Sequence, residues 1–527
     1  MPLKQRNSEH LRVNSPQRHS LPADAKRNIA TLGVMLVIFL FAIDSTIVST
    51  AMPTIVARLG GLELYSWVFS IYMLTSALTT PLFGKLSDLY SRRRLMLIGI
   101  GIFVVGSTLC GAAQSMEALV LFRAVQGLGG GAIYALSFIV VGILFPAEMR
   151  AKMQGIISGI WGVASILGPL AGGIIVEHWS WRWVFFVNLP ITAVAVALIV
   201  VGLKETGQQR HAHKLDIAGT FVLLSALMAV FYALSYSAQA GQPIDFALAG
   251  MITMALVLLG IFYWIERRAA EPILPLDLFH LRLFKTSAAV ATLAAMGVFG
   301  AISYLPLYLQ GVTGLTASRA GMVLLFLSLA WTVGSLVAGQ AIDRIGYRTV
   351  AVTGMLLMAL GYSFFVAFES KLTVVWVIAS AALIGTGMGM ANLTTLVSVQ
   401  NSVSHQRIGV ATSTLMLFRT FGGAFAVSLM GTVLLNQMQR GLSALSGSGL
   451  PTDLLDKLAQ PQNLLEPATR MQIPPELLPR LIAILGDAIW FAFAVGLSLM
   501  IAGVAIGFSM ASPAPAKTEK PLKSNEC

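Results

Sequence analysis

Apolar residues run along this chain in blocks of about twenty, parted by short polar stretches. A hydrocarbon core about 30 Å thick needs roughly 20 apolar residues in a helix. Fourteen such blocks are drawn, at 29–53, 64–83, 95–113, 118–145, 153–176, 184–202, 217–237, 246–265, 286–310, 320–340, 350–367, 373–399, 409–435 and 483–508. Each is apolar throughout rather than alternating over ten residues, which rules out a β-barrel. The expected fold class is an all-α integral membrane protein with fourteen transmembrane helices. Residues 1–28 are polar and basic with no apolar core. They do not make a secretory signal peptide, and the first span is expected to act as an uncleaved signal anchor.

Composition agrees. Of 527 residues, 56% are hydrophobic and only 11% charged, against about 25% charged in a soluble domain. Soluble-enzyme, disordered, collagen-like and disulfide-scaffold readings fall away. Two cysteines, Cys110 and Cys527, make no useful disulfide or metal framework. The net charge of +12 invites a nucleic-acid partner, but the positions of the cations argue for topology instead. With the spans drawn, 25 of the 35 Lys and Arg fall on the side of both termini, 8 on the other side, and 2, Arg123 and Arg419, inside spans. The positive-inside rule then makes both termini cytoplasmic, in a plasma or inner membrane.

An internal repeat sets the expected domains. The loop after the second span reads Gly84-Lys85-Leu86-Ser87-Asp88 and then Arg92, Arg93 and Arg94. The loop after the tenth reads Gly339-Gln340-Ala341-Ile342-Asp343-Arg344-Ile345-Gly346-Tyr347-Arg348. Both are Gly-x-x-x-Asp with a basic cluster, 255 residues and eight spans apart. Six-helix units alone would place them six spans apart. The surplus predicts two pseudo-symmetric six-helix bundles, 29–202 and 286–508, with a helix pair (217–237 and 246–265) and its linkers inserted over 203–285. A basic cytoplasmic tail covers 1–28, and a second cytoplasmic tail covers 509–527. Gly84 and Gly339 would let helices approach closely. Asp88 and Asp343 can accept from backbone N–H groups or pair with Arg92, Arg93, Arg344 and Arg348, forming a cytoplasmic latch that holds in one state and releases in another.

These loops resemble the signature loop of the major facilitator superfamily. Leu121-Phe122-Arg123-Ala124-Val125-Gln126-Gly127-Leu128-Gly129 resembles its Arg-x-x-Gln-Gly element, linked there to proton coupling. Gly162, Gly168-Pro169 and Gly172-Gly173 resemble the fifth-span element of its drug exporters. Asp44-Ser45-Thr46-Ile47-Val48 leading to Ala51-Met52-Pro53 resembles the first span of the fourteen-span drug:proton antiporters. Trp181-Arg182-Trp183-Val184-Phe185-Phe186-Val187-Asn188-Leu189-Pro190 and Tyr304-Leu305-Pro306-Leu307-Tyr308-Leu309-Gln310 are similar to the same branch. Leu89 and Ser91 depart from the pattern, where the family usually has a basic residue and Gly, which would loosen the first latch. The resemblance implies export of amphipathic or cationic small molecules in exchange for protons, by alternating access and with no cofactor. An exporter or importer of one metabolite, a siderophore or amino acid for example, would share every feature named. The resemblance also implies that the Gly162 to Gly173 face meets span ten, in a seam that rocks without leaking protons.

Inside the membrane, Asp44 is the one acid well within a span. At 1.5 Å per residue it lies roughly 13 Å from the outer boundary, and Arg123 roughly 8 Å from it, so the two share a depth. Desolvation favours a protonated carboxyl and a nearby guanidinium favours an ionised one. A changing distance between them would load and unload a proton, with Arg123 tuning Asp44 and Gln126 hydrogen-bonding one turn away. A static pair that only fixes packing and a direct contact of Asp44 with a cationic substrate are the competing readings. Arg419, Tyr304 and Tyr308 are further cavity candidates. His211 and His213 sit in a cytoplasmic loop with no metal-site company. No Walker loop, Ser-His-Asp or His-Glu-x-x-His pattern occurs, and no enzyme activity is expected. The extracytoplasmic loop 436–482, with Leu454, Leu455, Leu458, Leu464, Pro451, Pro461, Pro474 and Pro475, suggests short amphipathic helices over the exit, as a lid, a spacer or a contact for an accessory envelope partner.

Overall fold

A computed structural model describes residues 23–60, 64–203, 217–240, 246–269, 272, 274–315, 317–368, 373–443, 458 and 473–511. These residues are almost wholly helical, with no strand among them. The helices are α1 (Ala23–Leu59), α2 (Tyr65–Leu89), α3 (Arg92–Ala112), α4 (Met116–Leu144), α5 (Ala147–His178), α6 (Trp183–Phe186), α7 (Asn188–Gly202), α8 (Ile217–Ala240), α9 (Phe246–Glu266), α10 (Arg282–Leu307), α11 (Ala317–Phe368), α12 (Val374–Ser402), α13 (Ile408–Ser443) and α14 (Leu478–Phe508). Eleven helices among the described residues are long and apolar enough to cross a bilayer. In lipid every backbone polar group must be paired within the segment, so apolar blocks of this length become helices.

The breaks have local causes. Ser91 caps α3 by accepting from the Arg94 N–H at 3.4 Å, and Ser115 caps α4 by accepting from the Ala118 N–H at 3.2 Å. The sixth expected span is split at Val187. Pro190 falls in the first turn of α7, where its missing N–H costs no helical bond. Pro306 stands inside α10 just before a π-helical turn over Tyr308–Val312. The tenth and eleventh expected spans form the two limbs of α11, parted only at Gly346, whose φ of 78° and ψ of 164° are open to glycine alone.

Three apolar cores organise the packing. One is built from residues of α10 to α14 and the turns between them, and another from α1 to α6. The third joins both sequence regions: Phe138, Val141 and Phe145 of α4 and its end pack with Leu396, Val399, Val410 and Met416 of α12 and α13. Helix α2 packs on α13, α5 on the first limb of α11, and α8 on both α2 and α13. Leu223 and Phe262 of the α8–α9 pair lie against Leu78 of α2 and Leu417 of α13.

Apolar helices gain little from hiding surface in lipid, so close approach at small residues carries much of the packing. A repeated glycine frame does this here. A Cβ on Gly99 would meet the Gly129 carbonyl and Ala132; on Gly354 it would meet the Gly387 carbonyl and Met390. Gly106 packs on Gln126, and Gly361 on Ile384. Gly127, Gly129 and Gly131 of α4 recur as Gly385, Gly387 and Gly389 of α12, each pressed on the neighbours that the repeat assigns to it.

Candidate functional site

Asp44 projects from the middle of α1 and is fully buried. Arg123 and Gln126 stand three apart on α4, one face of the helix. The structure brings all three together. The Arg123 Nη1 donates to Asp44 Oδ2 at 2.6 Å, and the Gln126 Nε2 donates to Asp44 Oδ1 at 2.8 Å. Arg123 Nη1 also donates to Gln126 Oε1 at 2.8 Å, and its Nε to the Val68 carbonyl at 3.3 Å. The guanidinium lies 3.9 Å over the ring of Tyr72. Charge pairing and hydrogen bonds together offset the cost of placing two ions out of water.

Sequence reasoning did not assign a role to Asn188. The break at Val187 turns it inward, and its Nδ2 donates to Asp44 Oδ1 at 3.1 Å and to Ser107 Oγ at 3.0 Å. Ser107 in turn donates to the Phe185 carbonyl at 2.8 Å. Asp44 is thus held by three donors from α4 and α7. An aromatic wall continues from Tyr72. Phe41 lies 5.9 Å from Tyr72, 5.3 Å from Tyr134 and 5.8 Å from Trp161, ring centre to ring centre.

At the end of the bundle where α2 stops and α13 starts, Asp88 accepts from the Gly409 N–H at 3.0 Å and the Val410 N–H at 2.8 Å. Its partner is therefore the start of α13 and not the second signature loop. Gly84 faces Ser413 and the Gly409 carbonyl, and Gly339 faces the Ala151 carbonyl. Arg92 is near Asp88, but Asp343, Arg344 and Arg348 are exposed, and Arg93 is half-buried. A second set of contacts, missed because Arg150 read as a topology charge, closes the same end. Arg150 donates to the Gln400 carbonyl at 3.2 Å and Asn401 Oδ1 at 2.7 Å, and Gln154 donates to Gln400 Oε1 at 3.2 Å.

The remaining candidates divide. Gly162 faces Thr332 on the first limb of α11, within the block drawn as span ten. Gly168 and Gly172 instead face Thr46 and Thr50 of α1, and Gly173 meets open space, so the seam with span ten is shorter than the glycine run around Pro169 suggested. The helix simply turns these positions, six and ten residues on, toward a different neighbour. Tyr304 donates to the Val427 carbonyl at 2.5 Å. Tyr308 is carried by the π-helical turn into the α10–α14 core against Phe365, and not to a cavity. Arg419 is buried, and neither its Nε nor its Nη1 bonds to a described residue. His211 and His213 lie outside the described residues, as do Pro451, Leu454, Leu455, Pro461 and Leu464. Of that loop, α13 extends to Ser443, and Leu458 is buried in the α10–α14 core.

Comparison with known proteins agrees with this architecture. The chain is 37% identical over 410 residues to the multidrug transporter protein MdtP of Bacillus subtilis, covering 78% of this chain and 76% of that protein. It is 32% identical over 510 residues to multidrug resistance protein 3 of the same organism, covering 95% and 98%. Its fold is similar to the crystal structure of the human organic anion transporter MFSD10 (TETRAN), with a TM-score of 0.62 at 15% identity, covering 91% of this chain and 99% of that one. The family model of the Major Facilitator Superfamily matches residues 34–427, and the chain belongs to that superfamily of membrane transporters.

Proposed function

We propose that this protein is a proton-coupled exporter of amphipathic or cationic small molecules, working by alternating access in a plasma or inner membrane. The names of its relatives as multidrug transporters support the cargo class. The observation that carries the coupling is the buried Asp44–Arg123–Gln126–Asn188 cluster. Ionised Asp44 offers acceptors to three donors at once. A proton on Asp44 removes its charge, and Arg123 then keeps Gln126, the Val68 carbonyl and the Tyr72 ring as partners. That loosens the joint between α1 and α4, so protonation and the relative tilt of these helices become linked. The chain would cross the membrane fourteen times as six, two and six helices, with α11 counted as two and both termini cytoplasmic. Asp88, Arg150 and Gln154 bridge to α12 and α13 at one end, whereas toward the other end the cores stay separate; on this reading the bridged end is the cytoplasmic one.

The test is efflux of a fluorescent cationic dye from proteoliposomes with and without a proton gradient. Wild type should export faster with the gradient, and Asp44→Asn should lose at least about tenfold of that acceleration, the size of one charged hydrogen bond. Indifference to the gradient in wild type removes proton coupling. Gradient-driven export by Asp44→Asn at the wild-type rate removes Asp44 from it.

A further inference from the structure

Arg419 differs from every other buried cation among the described residues. It is 8% exposed, it sits roughly 16 Å along α13 from the cytoplasmic start of that helix, and no described residue accepts from its Nε or Nη1. Arg123 at similar burial has a carboxylate, an amide and a carbonyl. A guanidinium held at depth in a membrane protein marks a pathway or a partner.

The glycine frame locates it. Gly84 and Gly339 face the carbonyls of Gly409 and Ala151, which sets α13 in register with α5. Gly99 and Gly354 set α12 in register with α4. In that register Arg419 stands where Trp161 stands, and Asn392 where Tyr134 stands. Trp161 and Tyr134 are neighbours, with ring centres 6.4 Å apart. Tyr134 is one turn outward from Phe138, whose carbonyl accepts from Gln154 at 2.9 Å and Gln400 at 3.3 Å in the closed cytoplasmic floor. So Tyr134 and Asn392 occupy the first level above that floor, one on each side of the repeat. Asn392 brings a second observation. It is 6% exposed, and its Oδ1 has no donor among the described residues. Two polar side chains with unpartnered atoms thus occupy the positions where the other half carries two aromatic rings.

We infer that Arg419 and Asn392 form a polar half-site for a carboxylate on the cargo, facing the aromatic wall of Phe41, Tyr134 and Trp161. The guanidinium receives the carboxylate oxygens and the Asn392 Oδ1 takes an N–H or O–H, while the aromatic body of the cargo lies on the rings. The inference deepens the exporter reading by naming a substrate class, aromatic amphiphiles that carry a carboxylate, in place of simple cations alone.

The experiment uses two xanthene dyes that differ in one group: rhodamine 19, a free carboxylic acid, and rhodamine 6G, its ethyl ester. Binding to the full-length protein in nanodiscs is read by fluorescence anisotropy. Wild type should bind the acid at least about fivefold more tightly than the ester, because a polar site left unfilled disfavours the analogue that lacks its partner. Arg419→Gln should bring the ratio to about one, and Arg419→Lys should keep part of it. Ester binding within about twofold of wild type certifies that a variant is folded. If Arg419→Gln does not fold, Arg419→Met reads the same ratio, and a ratio unchanged there overturns the half-site. No preference in wild type, binding of neither dye, or a preference that survives Arg419→Gln also overturns it. Export is read separately in proteoliposomes: an Arg419-dependent preference without gradient-driven export sinks the exporter reading and leaves the half-site standing.

Discussion

The loop that ends α2 and the turn inside α11 carry the same Gly-x-x-x-Asp pattern, yet only Asp88 is engaged across the molecule. Its carboxylate accepts from Gly409 and Val410, while Asp343 is exposed beside Tyr347. The difference lies in the opposing helix. Helix α13 starts at Ile408, so the N–H groups of Gly409 and Val410 belong to its first turn and have no intrahelical acceptor. In the repeat the residues facing Asp343 would be Ala151 and Lys152. Helix α5 starts at Ala147, which puts both in its second turn with N–H groups already bonded four residues back. A carboxylate latches only where the helix it meets leaves donors free and presents the positive end of its dipole. Glycine seats are kept in both loops; the electrostatic bond is kept in one.

The largest break in this comparison should come from the carboxylates. Asp88→Ala removes both acceptors and should lower dye export at least about tenfold, since each charged hydrogen bond is worth about 1.5–3 kcal/mol. Asp343→Ala should stay within about twofold of wild type. Equal losses in the two variants would refute the asymmetry. A smaller effect is expected at the glycine seat. Gly84→Ala drives a methyl into the Ser413 side chain and should cost about fivefold, with Ser413→Gly in the same chain restoring most of it. Failure of that rescue would place the strain elsewhere.

The smallest effect is that of pH. Burial pushes the Asp88 carboxyl up to about 7, against the lowering influence of the Val410 N–H, Arg92 and the Gly409 N–H. If the end that Asp88 closes opens during transport, Asp88 is wetted and its carboxyl returns toward its ordinary 3.8. The closed state therefore binds the proton more tightly and gains as pH falls through about 7, with the gain complete near the ordinary value. Spin labels at the exposed positions Tyr90 and Gln406 should report a larger closed fraction at pH 5.5 than at pH 8. Arg92→Gln should move the midpoint upward, and Asp88→Asn should flatten the response. A midpoint indifferent to Arg92 would separate the transition from Asp88.

A second comparison runs inside the bilayer. Helices α4 and α12 share the Gly127, Gly129, Gly131 frame, but Arg123 and Gln126 correspond to Ala381 and Ile384. One frame carries the ion pair, and its copy is packed with apolar side chains. The pairing of Asp44 with Arg123 was legible beforehand because a fixed helical rise converts residue counts into depth. The apolar blocks were legible because a bilayer leaves so few ways to satisfy a backbone. Other features need coordinates. Asn188 turns inward only through the break at Val187. Tyr308 moves into a core because a π-helical turn rotates the chain just after Pro306. The partner of Asp88 depends on where two distant helices begin, and Gly168 and Gly172 face α1 because of the azimuth of α5, which a run of glycines does not encode.

Gly346 has a consequence for how the chain is threaded. Without its backbone torsion, the 52 residues of α11 would continue as one rod of roughly 78 Å, more than twice the hydrocarbon thickness. A nascent chain that missed this reversal would insert one crossing too few. Every later segment would then enter with inside and outside exchanged, and Arg419 and the start of α13 would be delivered to the wrong face.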